Sequence, residues 1–178
     1  MRIDHLPLAG VVLLGYDVAA DERGSFRRNV DLGDLAQLGL DPRVSQVSTA
    51  TNAVAGTVRG MHFQVAPHEE SKTLWCTRGS VLDVLVDVRS ESATYGTWCS
   101  VTLSAGDGRA VHVPPGVAHG YQTLEDDSTL VYLISTPHHP ESARSLLWSD
   151  ATVGIGWPLP VTRISDRDRE APPWPPAH

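Results

Sequence analysis

From residue 44 to residue 136 apolar and polar positions alternate with a period of two, in short runs broken by glycine, proline or acidic residues about every ten positions. The runs are VSQVSTAT, GTVRGMHFQ, TLWCTRG, VLDVLVDVR, TWCSVTLS, RAVHVP, GYQTL and TLVYLIS. Alternation of this kind sends successive side chains to opposite faces, so each run predicts a strand with one face turned inward. Short strands at even spacing predict an all-β sandwich or barrel. In TLVYLIS the same rule puts Leu130, Tyr132 and Ile134 on one face and Val131, Leu133 and Ser135 on the other. Val113-Pro114-Pro115-Gly116 predicts a turn that delivers His119 and Gly120 to the start of the next strand.

Helix is scarce. Asp31 to Leu38 has an acidic start, leucines three apart and Gly39 behind it, which predicts a two-turn helix. PESARSLLW, with Pro140 in its first turn, predicts a second. The apolar N-terminal stretch, interrupted at Gly10 and Gly15, predicts a strand rather than a signal segment, since it has neither a strongly basic leader nor a small-residue cleavage pattern. The ending APPWPPAH predicts an extended tail from about residue 171, lying on the surface or disordered. No repeat or long linker divides the chain, so residues 1–178 are expected to form one domain, long enough to bury a core without disulfides or structural metal.

Composition narrows the function. The longest apolar runs, such as Val84-Leu85-Val86, are far too short to cross a bilayer, so no membrane span is expected. A formal net charge of −7 argues against non-specific nucleic-acid binding, which draws on many lysines and arginines meeting phosphates. An anionic small molecule would need a local cationic lining, for which Arg23, Arg59, Lys72 and Arg167 are available. The two cysteines, Cys76 and Cys99, sit among apolar neighbours and suggest free thiols in a reducing cytoplasm.

The chemistry centres on RGMHFQ, where His62 lies in an apolar, strand-like setting with Arg59 three positions upstream. An imidazole so placed is available as a base. Lys72 offers electrostatic stabilisation, Tyr132 an acid and Asp168, in RISDRDREAP, a carboxylate; together the four suit proton abstraction beside a carbonyl. A cupin-type metal site would need a His-x-His pair, but His62 is followed by Phe63 and Gln64, His68 and Glu69 lie in a proline-marked loop, and His138 and His139 are adjacent, so no metal is expected. Phosphate-binding glycine loops and a GxSxG elbow are missing, and Asp83 and Asp87 are expected as turn-adjacent or cross-strand polar partners rather than a glycosidase pair.

The strings DERGSF, GTVRGMHFQ, ESKTL, GSVLDVLVDVR, VPPGVAHGYQTL, LVYLIS, HPES, GIGWPLP and ISDRD, in this order from Asp21 to about Pro172, resemble the dTDP-4-dehydrorhamnose 3,5-epimerase family. The resemblance implies a cupin-like jelly-roll barrel with a few short helices, a homodimer, no metal and no organic cofactor. It implies a nucleotide-sugar substrate, inverted at C3 or at C3 and C5 of a 4-keto-6-deoxyhexose. It also implies His62 as general base, Asp168 as the carboxylate orienting it, Tyr132 as proton donor on the opposite face and Lys72 near the keto oxygen. Arg23, Phe26, Gln46, Arg59, His119, His138 and Arg167 fall at or next to positions that contact the nucleotide sugar in the family. The chain departs from the family pattern in three places: His138 where a tyrosine is common, Arg28 where a glutamate is common, and Gln46-Val47-Ser48 for Gln-x-Asn. A 3,4-ketoisomerase, a non-catalytic sugar-nucleotide-binding barrel and a metal-dependent cupin oxygenase are the alternatives that sequence leaves open.

Overall fold

The computed structural model describes residues 1–175. The chain runs through β1 (Arg2–His5), β2 (Val12–Gly15), β3 (Val18–Asp21), β4 (Gly24–Arg27), α1 (Leu32–Gln37), β5 (Gln46–Asn52), β6 (Val58–Gln64) and β7 (Lys72–Arg78). It continues through β8 (Ser80–Asp87), β9 (Trp98–Ser104), β10 (Arg109–Val113), β11 (Val117–Thr123), β12 (Ser128–Ile134), β13 (Ala143–Ser145) and α2 (Asp166–Arg169). All the strands expected between residues 44 and 136 form, to within three residues at either end.

Two antiparallel sheets face each other in a jelly roll. One has the order β1-β2-β10-β7-β12-β5, the other β13-β6-β11-β8-β9, and β3-β4 is a separate hairpin. Their inner faces meet in a core where Leu74, Cys76 and Leu130 of the first sheet pack with Val81, Leu85 and Leu103 of the second. Both cysteines are free and buried, and burial pushes the Cys99 thiol up to about 11, which keeps it protonated. Strand β8 is apolar on both faces because the five-stranded sheet is covered outside as well: Val84 and Val86 pack with Met61, Phe63 and Ala118 beneath Leu146, Val153 and Trp174. On the other sheet α1 lays Leu35 against Val12, Leu14 and Tyr16. Asp31 caps it as expected, its carboxylate accepting from the backbone N–H of Gly33 and Asp34.

Three expectations need correction or refinement. PESARSLLW is not helical: Ala143–Ser145 forms β13 on the edge of β6, and Leu146 exchanges backbone hydrogen bonds of 3.0 and 3.2 Å with Met61. A nine-residue helix is marginal alone, whereas the open edge of β6 carries backbone groups that need partners. The N-terminal stretch forms three strands rather than one, because the chain reverses at Gly10 (φ +80°) and closes with Leu6 N–H to Val11 O. Of the two states expected for the tail, residues 171–175 lie on the surface: Ala171 is buried, the Trp174 ring joins the outer cluster, and the Trp174 backbone N–H donates to Asp150. Residues 176–178 lie outside the described residues.

Candidate active site

Strict alternation along β6 would send Arg59 and His62 to opposite faces. Both line the same cavity of about 270 Å³ between the sheets, because the strand breaks step at Gly60. Gly60 has φ +125°, and a Cβ there would lie 2.5 Å from the Gly120 Cα and 2.9 Å from the His119 carbonyl oxygen. No larger residue fits. The β6–β11 register shifts at the same point, between His119 and Tyr121. Met61 and Phe63 consequently enter the outer cluster while His62 turns inward.

His62 Nε2 lies 2.6 Å from Asp168 Oδ1, and the Asp168 side chain is only 5% exposed. Asp168 sits in the single turn α2, whose N-cap Ser165 accepts from the Asp168 N–H, and its second oxygen accepts from the Gly60 N–H at 3.2 Å. Burial alone would raise this carboxyl, yet the His62 hydrogen bond and charge, with the Gly60 N–H, hold it below the usual range. An ionised carboxylate only accepts, so Nε2 carries the proton and the lone pair lies on Nδ1. The arrangement can hold an imidazole as a base and stabilise the imidazolium after abstraction.

Tyr132 enters the same cavity from β12, in the opposite sheet. Burial, followed by the neighbouring Tyr121 and Asp83, pushes its phenol well above the ordinary value, with Arg59 opposing in part. The hydroxyl therefore stays protonated and able to donate. Lys72, on β7, lines the cavity too; its ammonium is 2.9 Å from Glu70 and donates to the His62 carbonyl at 3.4 Å. Glu70 was not singled out from the sequence, and it tempers a cation that otherwise faces the cavity. His119 pairs with Asp83 at 2.7 Å, both groups buried, and its ring stands edge-on to Tyr132 at 5.8 Å. Asp83 is thus the cross-strand polar partner expected of it, but it also orients a cavity-lining ring. Burial raises its carboxyl against the opposing His119 charge, and its Oδ1 has no hydrogen-bond partner among the described residues. Tyr121 also lines the cavity, and its hydroxyl donates to Asn52 Oδ1, which accepts from Arg59 Nε as well. Strand alternation alone could have flagged Asp83 and Tyr121; nothing local marks Glu70 or Asn52.

His62 also lines two further hollows, so they adjoin the cavity. One holds Arg59, Arg163, Arg167 and Asp168; the other holds Gln46, Glu70, Lys72, His138, Arg144 and Arg167. Arg163 and Arg144 add cationic groups beyond those expected. Arg23 and Phe26 are the two candidates not brought into this cleft: they line a separate groove on the β3–β4 hairpin, where Arg23 pairs with Asp21 and Phe26 is 80% exposed.

Two antiparallel sheets close on a cavity with an imidazole and a phenol on opposing walls and a half-buried ammonium beside them, a site suited to moving protons on and off carbon. The family model described as dTDP-4-dehydrorhamnose 3,5-epimerase matches residues 5–175, and the chain belongs to that family. The dTDP-4-dehydrorhamnose 3,5-epimerase of Sinorhizobium fredii is 42% identical over 177 residues, covering 97% of this chain and 89% of that one. Among solved structures, the 4-keto-6-deoxy sugar epimerase from the novobiocin biosynthetic gene cluster of Streptomyces spheroides superimposes with a TM-score of 0.91 at 34% identity, covering 96% of this chain and 86% of that one. A 3'-monoepimerase from Streptomyces bikiniensis, solved with dTDP-quinovose, gives 0.88 at 34% identity over 94% and 85% of the two chains.

Proposed function

We propose that this chain inverts C3, or C3 and C5, of a dTDP-linked 4-keto-6-deoxyhexose in deoxysugar biosynthesis. The observation that carries the reading is the entry of His62 and Tyr132 into one cavity from opposing sheets. Inversion at carbon needs a base on one face of the sugar and a proton donor on the other. His62 Nδ1 takes the proton beside the ketone, and Asp168 stabilises the imidazolium. The electrons move onto the keto oxygen, where the half-buried Lys72 ammonium stabilises the enolate better than bulk water does. Tyr132 then delivers a proton to the opposite face. Each proton-transfer group contributes about 10²- to 10⁴-fold.

Arg59, Arg163 and Arg167 beside His62 supply the positive lining that a nucleoside diphosphate needs in a chain of net charge −7. Arg23 and Phe26 act on a second copy of the chain, and the protein is a homodimer. In support, the β3–β4 hairpin projects an exposed Phe26, and the six-stranded sheet ends at β5, a seven-residue strand with an outward Val47. The free buried thiols, and the absence among the described residues of a helix able to cross a membrane, fit a cytoplasmic enzyme.

The test is solvent exchange. Incubated in deuterated water with a dTDP-4-keto-6-deoxyhexose, the protein places deuterium at C3, or at C3 and C5, with inversion seen by NMR. His62→Ala loses at least about a hundredfold of that rate. Movement of the carbonyl to C3, or binding with no exchange, would refute the proposal.

A further inference from the structure

Away from the cleft, two loops bring three metal-ligating side chains together. His68 lies in the β6–β7 connection, and His139 and Glu141 lie between β12 and β13. Their ligand atoms all fall within 4.8 Å of one another, with His139 Nδ1 3.2 Å and His68 Nε2 3.7 Å from the same Glu141 oxygen. The two imidazoles stack at 3.5 Å between centroids, with planes 7° apart. We propose that His68, His139 and Glu141 form a binding site for one borderline divalent transition-metal ion of the Zn(II) type.

Donor chemistry, spacing and backbone support all favour such an ion. Two imidazole nitrogens and one carboxylate suit Zn(II), Co(II), Ni(II) or Cu(II), and disfavour Mg(II) and Ca(II), which prefer oxygen donors. Ligands held about 2.0 to 2.1 Å from a tetrahedral ion stand about 3.3 Å apart, so the observed 3.2 and 3.7 Å need only small adjustment. Parallel rings point their lone pairs side by side, so one imidazole must rotate to converge on the ion. Each is about one-third exposed and free on that side to turn.

The backbone beneath is already fixed. Buried Gln64 donates its amide to the His68 and Pro137 carbonyls, and its side-chain oxygen accepts from the His139 N–H at 2.7 Å. Arg144 donates to the Glu141 carbonyl. One buried amide therefore holds both loops in register, and a fourth coordination position is left to water, as in an open site. The missing His-x-His pair bears only on a metal within the barrel; this cluster arises from loops that meet through folding. An ion here would clasp the connection leading to Lys72 to the loop bearing His138, which lines the cleft.

The test uses the full-length chain without a histidine tag, stripped with chelator. Isothermal titration with Zn(II), and Co(II) absorption, are expected to show one ion per chain with a dissociation constant in the micromolar range or below. At about a hundredfold excess over that constant the melting temperature should rise by about 5 to 10 °C. His68→Ala and His139→Ala each weaken binding at least tenfold and Glu141→Gln less so, while His5→Ala, on β1, leaves it unchanged. Glu141 is exposed and both imidazoles are half-buried in loops outside the core, and circular dichroism confirms that each variant is folded. No stoichiometric binding up to millimolar ion, or equal binding by the His68→Ala/His139→Ala double variant, would overturn the assignment.

Discussion

Asp168→Asn should cost far more than the loss of one charge, because it reverses the proton arrangement of His62. The present carboxylate accepts from both Gly60 N–H and His62 Nε2. An asparagine has one oxygen, and the buried Gly60 N–H will claim it, leaving the amide NH₂ facing Nε2. Nε2 must then accept, and the proton moves to Nδ1, the atom that has to be free to act as base. Loss of a charge-assisted bond at 2.6 Å costs about 1.5 to 3 kcal/mol of imidazolium stabilisation, or about 10- to 150-fold. Tautomer reversal adds about another tenfold or more, so kcat/KM should fall about 10³-fold, mostly in kcat. The assay is initial-rate deuterium wash-in by NMR, paired with nitrogen-15 spectra of the imidazole to read the tautomer. A thermal melt close to that of the parent is expected, since Gly60 keeps its acceptor. A folded Asp168→Asn protein within tenfold of the parent rate would refute this account of His62.

Tyr132→Phe removes only the second proton source, so deuterium should still enter the substrate at the His62 face while formation of the inverted product falls about 10²-fold or more; equal loss of exchange and inversion would contradict the division of roles. Gly60→Ala places a methyl 2.5 Å from the Gly120 backbone at φ +125°, and should lower stability by about 3 kcal/mol or prevent folding, read by chemical denaturation. His112 is buried, and burial lowers it from 6.5 to about 4, so the folded chain binds that proton less readily than the unfolded one. Its contribution to stability is intact above pH 6.5 and is lost as pH falls toward 4, by about 3 kcal/mol. Denaturation at pH 7 and pH 4.5 should show this slope, and His112→Asn should flatten it.

Much of the architecture was legible because local patterns and tertiary environment agree. Alternation from residue 44 to 136 located the strands and put Leu130, Tyr132 and Ile134 on one face of β12, while the opposing sheet decided that this face, with Lys72 beside it on β7, turns inward. Asp31 marked the start of α1 because a side-chain cap is a local hydrogen bond. Four residues suited to carbon-acid chemistry could be named from their types, and the ordered strings resembling a family suggested how they divide the work. Membership of that family and the jelly roll were both borne out.

Other features depend on contacts between segments far apart in the chain. Whether Ala143–Ser145 becomes helix or strand was decided by the open edge of β6, and whether Trp174 packs was decided by the outer face of the five-stranded sheet. The inward turn of His62 depends on Gly60 meeting Gly120, a close approach that period-two reading cannot represent. The partners that set the state of each functional group come from elsewhere: Asp168 lies 106 residues from His62, and Asp83 lies 36 from His119. Side-chain type and periodicity are properties of the chain itself, so the sequence determined the strands and the chemical repertoire. Proton placement and the juxtaposition of His68 with His139 are properties of distance in three dimensions, and only the folded barrel sets those distances.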